Sequence, residues 1–142
     1  PDPPASPSVL EAIETSDVLV LGPGSWFTSV MPHLLVPQIV EAIMDSDALK
    51  ILTLNVAGAD ETNGFSPARH LEVLAEHEPR IRFDVVLADR SFARSDPHLG
   101  TFARNLGARI VEADLAMHDG SARHDPLRLA SAYAEVMGVH IR

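Results

Sequence analysis

Four short apolar runs of strand length punctuate this chain: VLVLG at 18–22, KILTLN at 50–55, FDVVLAD at 83–89 and RIVEAD at 109–114. The first has no polar alternation, which is the pattern of a strand covered on both faces. Helical patterns separate the runs. Ser6-Pro7 and Ser66-Pro67 each combine a capping serine with a proline at the first helical position. VPQIVEAIM at 36–44 is a further helix, the stretch from 67 to Pro79 another, and a short one over 98–106 is stopped by Gly107. RSFARSDP after the third run reads as a loop, 115–126 as a second loop, and 126–137 as a closing helix. Strand and helix alternate with short connections, so the expected fold is α/β: a Rossmann-like, mostly parallel sheet with helices on both faces. Ligands of such sheets bind at the carboxyl ends of the strands, here in the loops after Leu21, Leu54 and Ala88.

The chain has 142 residues, enough for one domain with a real core. A net charge of −9, with the acids spread along the sequence, argues against nucleic acid or an anionic membrane as the main partner. Cysteine is absent, which removes disulfides, thiolate metal sites and cysteine nucleophiles and suits a reducing cytoplasm. No apolar run approaches the roughly 18–20 residues of a membrane span. The opening PDPPASP reads as a linker, so residues 1–142 are expected to form a single domain, the C-terminal portion of a longer chain, with 1–7 as lead-in.

The loop after the first strand, LGPGSWFTSVMPHLLVP (21–37), is the richest in chemistry. Gly22 and Gly24 admit backbone angles and close approach, while Ser25, Thr28 and Ser29 add hydroxyl donors, so the turn either cradles an anion or simply packs a strand-to-helix connection. It is neither a Walker loop nor GxGxxG, and no G-x-S-x-G elbow is present. The second loop carries Asn55 and the carboxylates Asp60 and Glu61, which either hold a ribose hydroxyl or a divalent cation, serve as a base, or stay solvated or cap the next helix. Seven histidines show no zinc-ligand spacing. Arg123, beside His124, is a candidate phosphate clamp or an ordinary surface arginine.

Three segments together resemble the gluconeogenesis factor (YvcK-like) family, within the 2-phospho-L-lactate transferase (CofD-like) superfamily. They are SDVLVLGPGSWFTSVMPHLLVPQIVEAI (16–43), LNVAGADETNGFSPARHLEVLAEH (54–77) and RHDP (123–126). The resemblance implies a cytoplasmic bacterial protein that binds a UDP-linked nucleotide sugar, with no established cofactor or catalytic activity and a role in envelope growth and cell shape on gluconeogenic carbon. It places Gly22, Pro23, Gly24, Ser25, Thr28 and Ser29 on the ligand-facing turn and Asn55, Glu61, Thr62 and Gly64 in the second loop. Arg123 matches an arginine implicated in holding the nucleotide sugar, and Phe102 stands near a family tyrosine. Gly58-Ala59-Asp60 replaces the family's Q-P-G, and the family's N-terminal GGGTG-type turn is absent from these residues. No catalytic or metal-binding residue is expected, and a homo-oligomer is left open. The alternative is a CofD-like transferase moving a 2-phospholactyl group from a nucleotide-activated donor to a deazaflavin.

Overall fold

Four parallel strands form one sheet in the order β1-β2-β3-β4, the order in which the chain visits them. The structure is a computed structural model that describes residues 4–24, 30–56, 66–119, 121 and 123–141. The strands are β1 (Val18–Leu21), β2 (Leu49–Thr53), β3 (Val85–Asp89) and β4 (Arg109–Ala113). The α-helices are α1 (Pro7–Thr15), α2 (Pro37–Asp45), α3 (Pro67–His77), α4 (Arg90–Arg94), α5 (Leu99–Asn105) and α6 (Pro126–Ile141), with a 3-10 turn at Met31–Leu35 before α2. Parallel pairing aligns Val18 with Leu49, Ile51 with Val85 and Val85 with Arg109.

Because side chains alternate across each strand, two cores result. Leu52, Leu54, Val86 and Ala88 point to one face, where they pack with Val40 of α2, Leu71 and Leu74 of α3 and Ala103 of α5. Leu49, Ile51, Val85 and Leu87 point to the other, against Ala132 and Val136 of α6. Crossovers that step in one direction along a parallel sheet keep their helices on one face, which accounts for α2, α3 and α5 lying together. After β4 the chain reverses, and α6 returns across the opposite face until Tyr133 meets Thr53 of β2, hydroxyl to hydroxyl, at 2.6 Å.

Several expectations change. The stretch after β3 is not a loop: Asp89 accepts from the Ser91 N–H and starts the short helix α4. Asparagine-like capping by an aspartate at the strand end supplies what the absence of a Ser-Pro signal hides. The closing helix runs on to Ile141, with no breaker after Met137 because Gly138 costs only about 1 kcal/mol in a helix interior. Finally β1 is not fully covered, since Val20 remains 46% exposed on the α6 face among the described residues. Of the two serine caps, Ser66 accepts from the Arg69 N–H at 3.1 Å, whereas Ser6 makes no cap bond and pairs with the Ser8 hydroxyl.

Candidate functional site

The turn after β1 is fixed by close approach. Gly22 has φ +78°, and a Cβ there would lie 2.6 Å from the Thr53 carbonyl oxygen. Only glycine lets this turn press against the end of β2. Two residues on, the Gly24 N–H donates to Asn55 Oδ1 at 3.1 Å, and Asn55 Nδ2 donates to the Gly24 carbonyl at 2.9 Å. An asparagine amide offers a donor and an acceptor side by side, so it pairs with a backbone unit much as a neighbouring strand would. The Gly24 N–H is therefore already engaged, and Pro23 has none to give.

The end of β3 anchors the segment that follows β4. Buried Asp89 accepts from the Leu115 N–H at 2.9 Å with its second oxygen. The chain then folds back on itself: Ala116 and His124 form an antiparallel bridge, Met117 N–H donates to the Arg123 carbonyl at 2.9 Å, and Asp125 N–H donates to the Leu115 carbonyl at 2.7 Å. Arg128 Nη1 donates to Asp114 at 2.7 Å, and His118 Nε2 lies 3.1 Å from the same carboxylate. The His118 hydrogen bond, aided by the Arg128 charge, holds Asp114 below the usual carboxylate range.

This fold-back delivers His124 and Arg123 to the carboxyl edge. The half-buried His124 ring meets the Leu54 carbonyl, one residue before Asn55. Burial pushes its pKa down against the opposing pull of that carbonyl and of Asp89, so the imidazole is neutral near neutral pH. Nε2 is shielded from solvent and has no hydrogen-bond partner among the described residues. Arg123, by contrast, has a side chain 73% exposed, with Asp119 at 3.5 Å and the Ser121 hydroxyl at 3.4 Å. Exposed ion pairs contribute little, so the guanidinium can exchange Asp119 for another anion at small cost.

The structure thus brings Gly22, Pro23, Gly24 and Asn55 together and joins Arg123 to them through His124 and Leu54. Phe102 stands apart. It lines a cavity of about 410 Å³ with Ser66, Asp96 and His98, in which none of the residues just named takes part. Ser25, Thr28, Ser29, Glu61, Thr62 and Gly64 lie outside the described residues. Sequence reasoning missed the anchoring roles of Asp89 and His124; an aspartate closing a buried strand and a histidine between Arg123 and Asp125 were the available signals. A cavity of about 900 Å³ lies at the opposite, amino end of the strands between α1 and α2. Its lining includes Glu14, Asp17, Glu41, Asp45 and Asp47, a set that repels phosphates. Among the described residues no group of three or more His, Asp or Glu is placed to hold a metal ion.

The family model described as 2-phospho-L-lactate transferase CofD matches residues 1–125. The chain is 43% identical over 135 residues to a protein of Mycobacterium leprae named as a gluconeogenesis factor, covering 92% of this chain and 37% of that protein. A protein of the same name from Nostoc is 35% identical over 154 residues, covering 96% of this chain and 34% of its own length. The chain therefore spans well under half the length of these relatives. Two crystal structures from Bacillus halodurans share the fold. One, described as a member of the UPF0052 family, has TM-score 0.72 and 29% identity over 89% of this chain and 46% of that one. The other has TM-score 0.75 and 30% identity, over 91% and 46%. The match over residues 1–125 shows the family: this chain belongs to the CofD family, and its relatives there bear the name of gluconeogenesis factor.

Proposed function

We propose that this chain forms part of a nucleotide-sugar-binding regulatory protein, taking a UDP-linked sugar at the carboxyl edge of its sheet. The observation that carries the reading is the joining of the Gly24–Asn55 lock to exposed Arg123 through His124 and Leu54. The lock shapes a backbone shelf beside the strand ends, and Arg123 supplies a mobile cation suited to a pyrophosphate. Hydroxyls of Ser25, Thr28 and Ser29 and the loop bearing Glu61, Thr62 and Gly64 complete the proposed contacts, and Phe102 supplies a more remote ring surface. The protein is read as cytoplasmic and as a regulator of carbon metabolism and cell shape. No helix among the described residues is long and apolar enough to cross a membrane.

Calorimetry of the full-length protein with UDP-N-acetylglucosamine tests the reading. Binding is expected, with a loss of about tenfold in Arg123→Ala, the effect of one charge-assisted hydrogen bond. Absence of heat with wild type defeats the proposal, whereas unchanged affinity in the variant removes only the clamp. The description of the matched family favours a second reading, a CofD-like transferase moving a 2-phospholactyl group from a nucleotide-activated donor to a deazaflavin. Product formation from lactyl-guanosine donor and deazaflavin would establish it.

A further inference from the structure

The two outer strands of the sheet are finished in opposite ways. β4 carries Arg109 and Glu112, both exposed, and Glu112 accepts from the Arg94 guanidinium at 3.0 Å. Charged side chains of this kind keep a free edge from pairing with another strand. β1 is VLVL, with neither charge nor proline. Four apolar positions in a row are the pattern of a strand paired on both sides and covered on both faces. Among the described residues β1 nonetheless pairs only with β2.

The register identifies the backbone groups left over. Leu49 N–H donates to the Asp17 carbonyl at 3.0 Å, so Asp17 faces β2, and by alternation Leu19 and Leu21 face it too. Val18 and Val20 therefore aim their N–H and C=O groups at the open edge. Both flanks of that edge are apolar. On one face Val20 is 46% exposed. On the other a cavity of about 250 Å³ runs beside β1, lined by Leu19 and Leu21, by Val9 and Ile13 of α1, and by Ile39 and Ile43 of α2. Helix α1 has no buried residue among the described residues, although Val9, Leu10 and Ile13 form one apolar stripe.

We propose that the β1 edge is an interaction surface whose occupant is a further strand of the same polypeptide, contributed by the part of the protein that its relatives carry outside the matched region. The Mycobacterium leprae and Nostoc relatives are matched over only 37% and 34% of their length, and one Bacillus halodurans structure over 46%. A second copy of this chain fits the edge less well. Four residues of strand are only about 13 Å long. A stable interface between separate molecules needs about 800 Å² from each partner. A covalently tethered strand avoids the entropy cost of association, so a short edge suffices. Its hydrogen bonds go to Val18 and Val20, and its side chains cover Val20 on one face and the α1 cavity on the other. The proposal is independent of the nucleotide-sugar reading.

Residue-resolved hydrogen exchange of the full-length wild type, without ligand and across a dilution series followed by sedimentation, tests it. The Val18 and Val20 amides are expected to exchange at least about a hundredfold below the free-chain rate, as those of Leu19 and Leu21 do, and equally at every concentration. Scalar couplings across their hydrogen bonds should lead to carbonyls outside these 142 residues. Free exchange at Val18 and Val20 beside protected Leu19 and Leu21 shows an open edge and overturns the proposal. Protection lost on dilution as a dimer dissociates, or couplings to carbonyls within these residues, overturns it in favour of a second copy. These readouts need no variant. Val20→Lys in the full-length protein adds a second measurement: a covered position should lower the thermal midpoint by several degrees, and an unchanged midpoint, the result for a surface position, counts against coverage.

Discussion

Asn55 closes both of its amide groups on Gly24, 31 positions earlier, and so ties the turn after β1 to the end of β2. Neither residue lies in a strand; the pairing extends the sheet's order by one step into the loops. Replacing Asn55 with alanine removes both hydrogen bonds and leaves the Gly24 amide and carbonyl without their partner. A loss of about 1–3 kcal/mol in urea unfolding is expected. Asn55→Asp keeps the acceptor for the Gly24 N–H but sets a carboxylate against the Gly24 carbonyl, so it should be no better than alanine.

Glycine is required at position 22 by both conformation and space. Gly22→Ala puts a Cβ 2.6 Å from the Thr53 carbonyl oxygen at φ +78° and should destabilise by about 2 kcal/mol or more. Gly138→Ala is the internal control: its Cβ meets nothing within 4 Å and sits in α6, so about 0.5–1 kcal/mol of stabilisation is expected. Equal effects of the two substitutions in a thermal melt would contradict the packing account of the turn.

The Thr53–Tyr133 hydroxyl pair measures how firmly α6 is seated. Thr53 is fully buried, and its 2.6 Å contact with Tyr133 joins β2 to the last helix across 80 positions of the chain. Tyr133→Phe strands the Thr53 hydroxyl and should cost about 1–3 kcal/mol. Adding Thr53→Val to it should recover part of the loss, because both polar partners are then gone.

Acid should weaken the fold well before carboxylates titrate. Burial lowers the pKa of both His70 and His124 from the ordinary 6.5. Both are neutral in the folded chain, so on acidification the unfolded chain takes up protons first. Their contribution is fully present above pH 6.5 and is lost as pH falls from there toward the lowered folded values, at no more than about 1.4 kcal/mol per pH unit for each ring. Urea midpoints at pH 7.5 and 5.5 test this, and His124→Gln should show the smaller drop between them.

The strands were legible because buried parallel strands are apolar at successive positions, and each lies within a residue or two of its apolar run. The Ser66-Pro67 signal marked the start of α3 directly. Helix α4 was hidden because its cap is Asp89, a residue that also ends β3 and so reads as part of the strand. Within the site, Gly22, Gly24 and Asn55 stood out by residue type and by their place at strand ends. Their pairing did not, since nothing local couples positions 24 and 55. Asp89 and His124 escaped for the same reason: each acts through a backbone group distant in sequence, Leu115 for one and Leu54 for the other.

The central claim is one of place: the ligand sits at the carboxyl edge, on the Gly24–Asn55 lock. Hydrogen exchange of the full-length protein with and without UDP-N-acetylglucosamine tests it most directly. The account predicts slowed exchange in the segments containing Gly22–Gly24, Leu54–Val56 and Arg123–Asp125, with the acidic cavity between α1 and α2 unchanged. Protection confined to that acidic cavity, or none at the strand ends under saturating ligand, would contradict it.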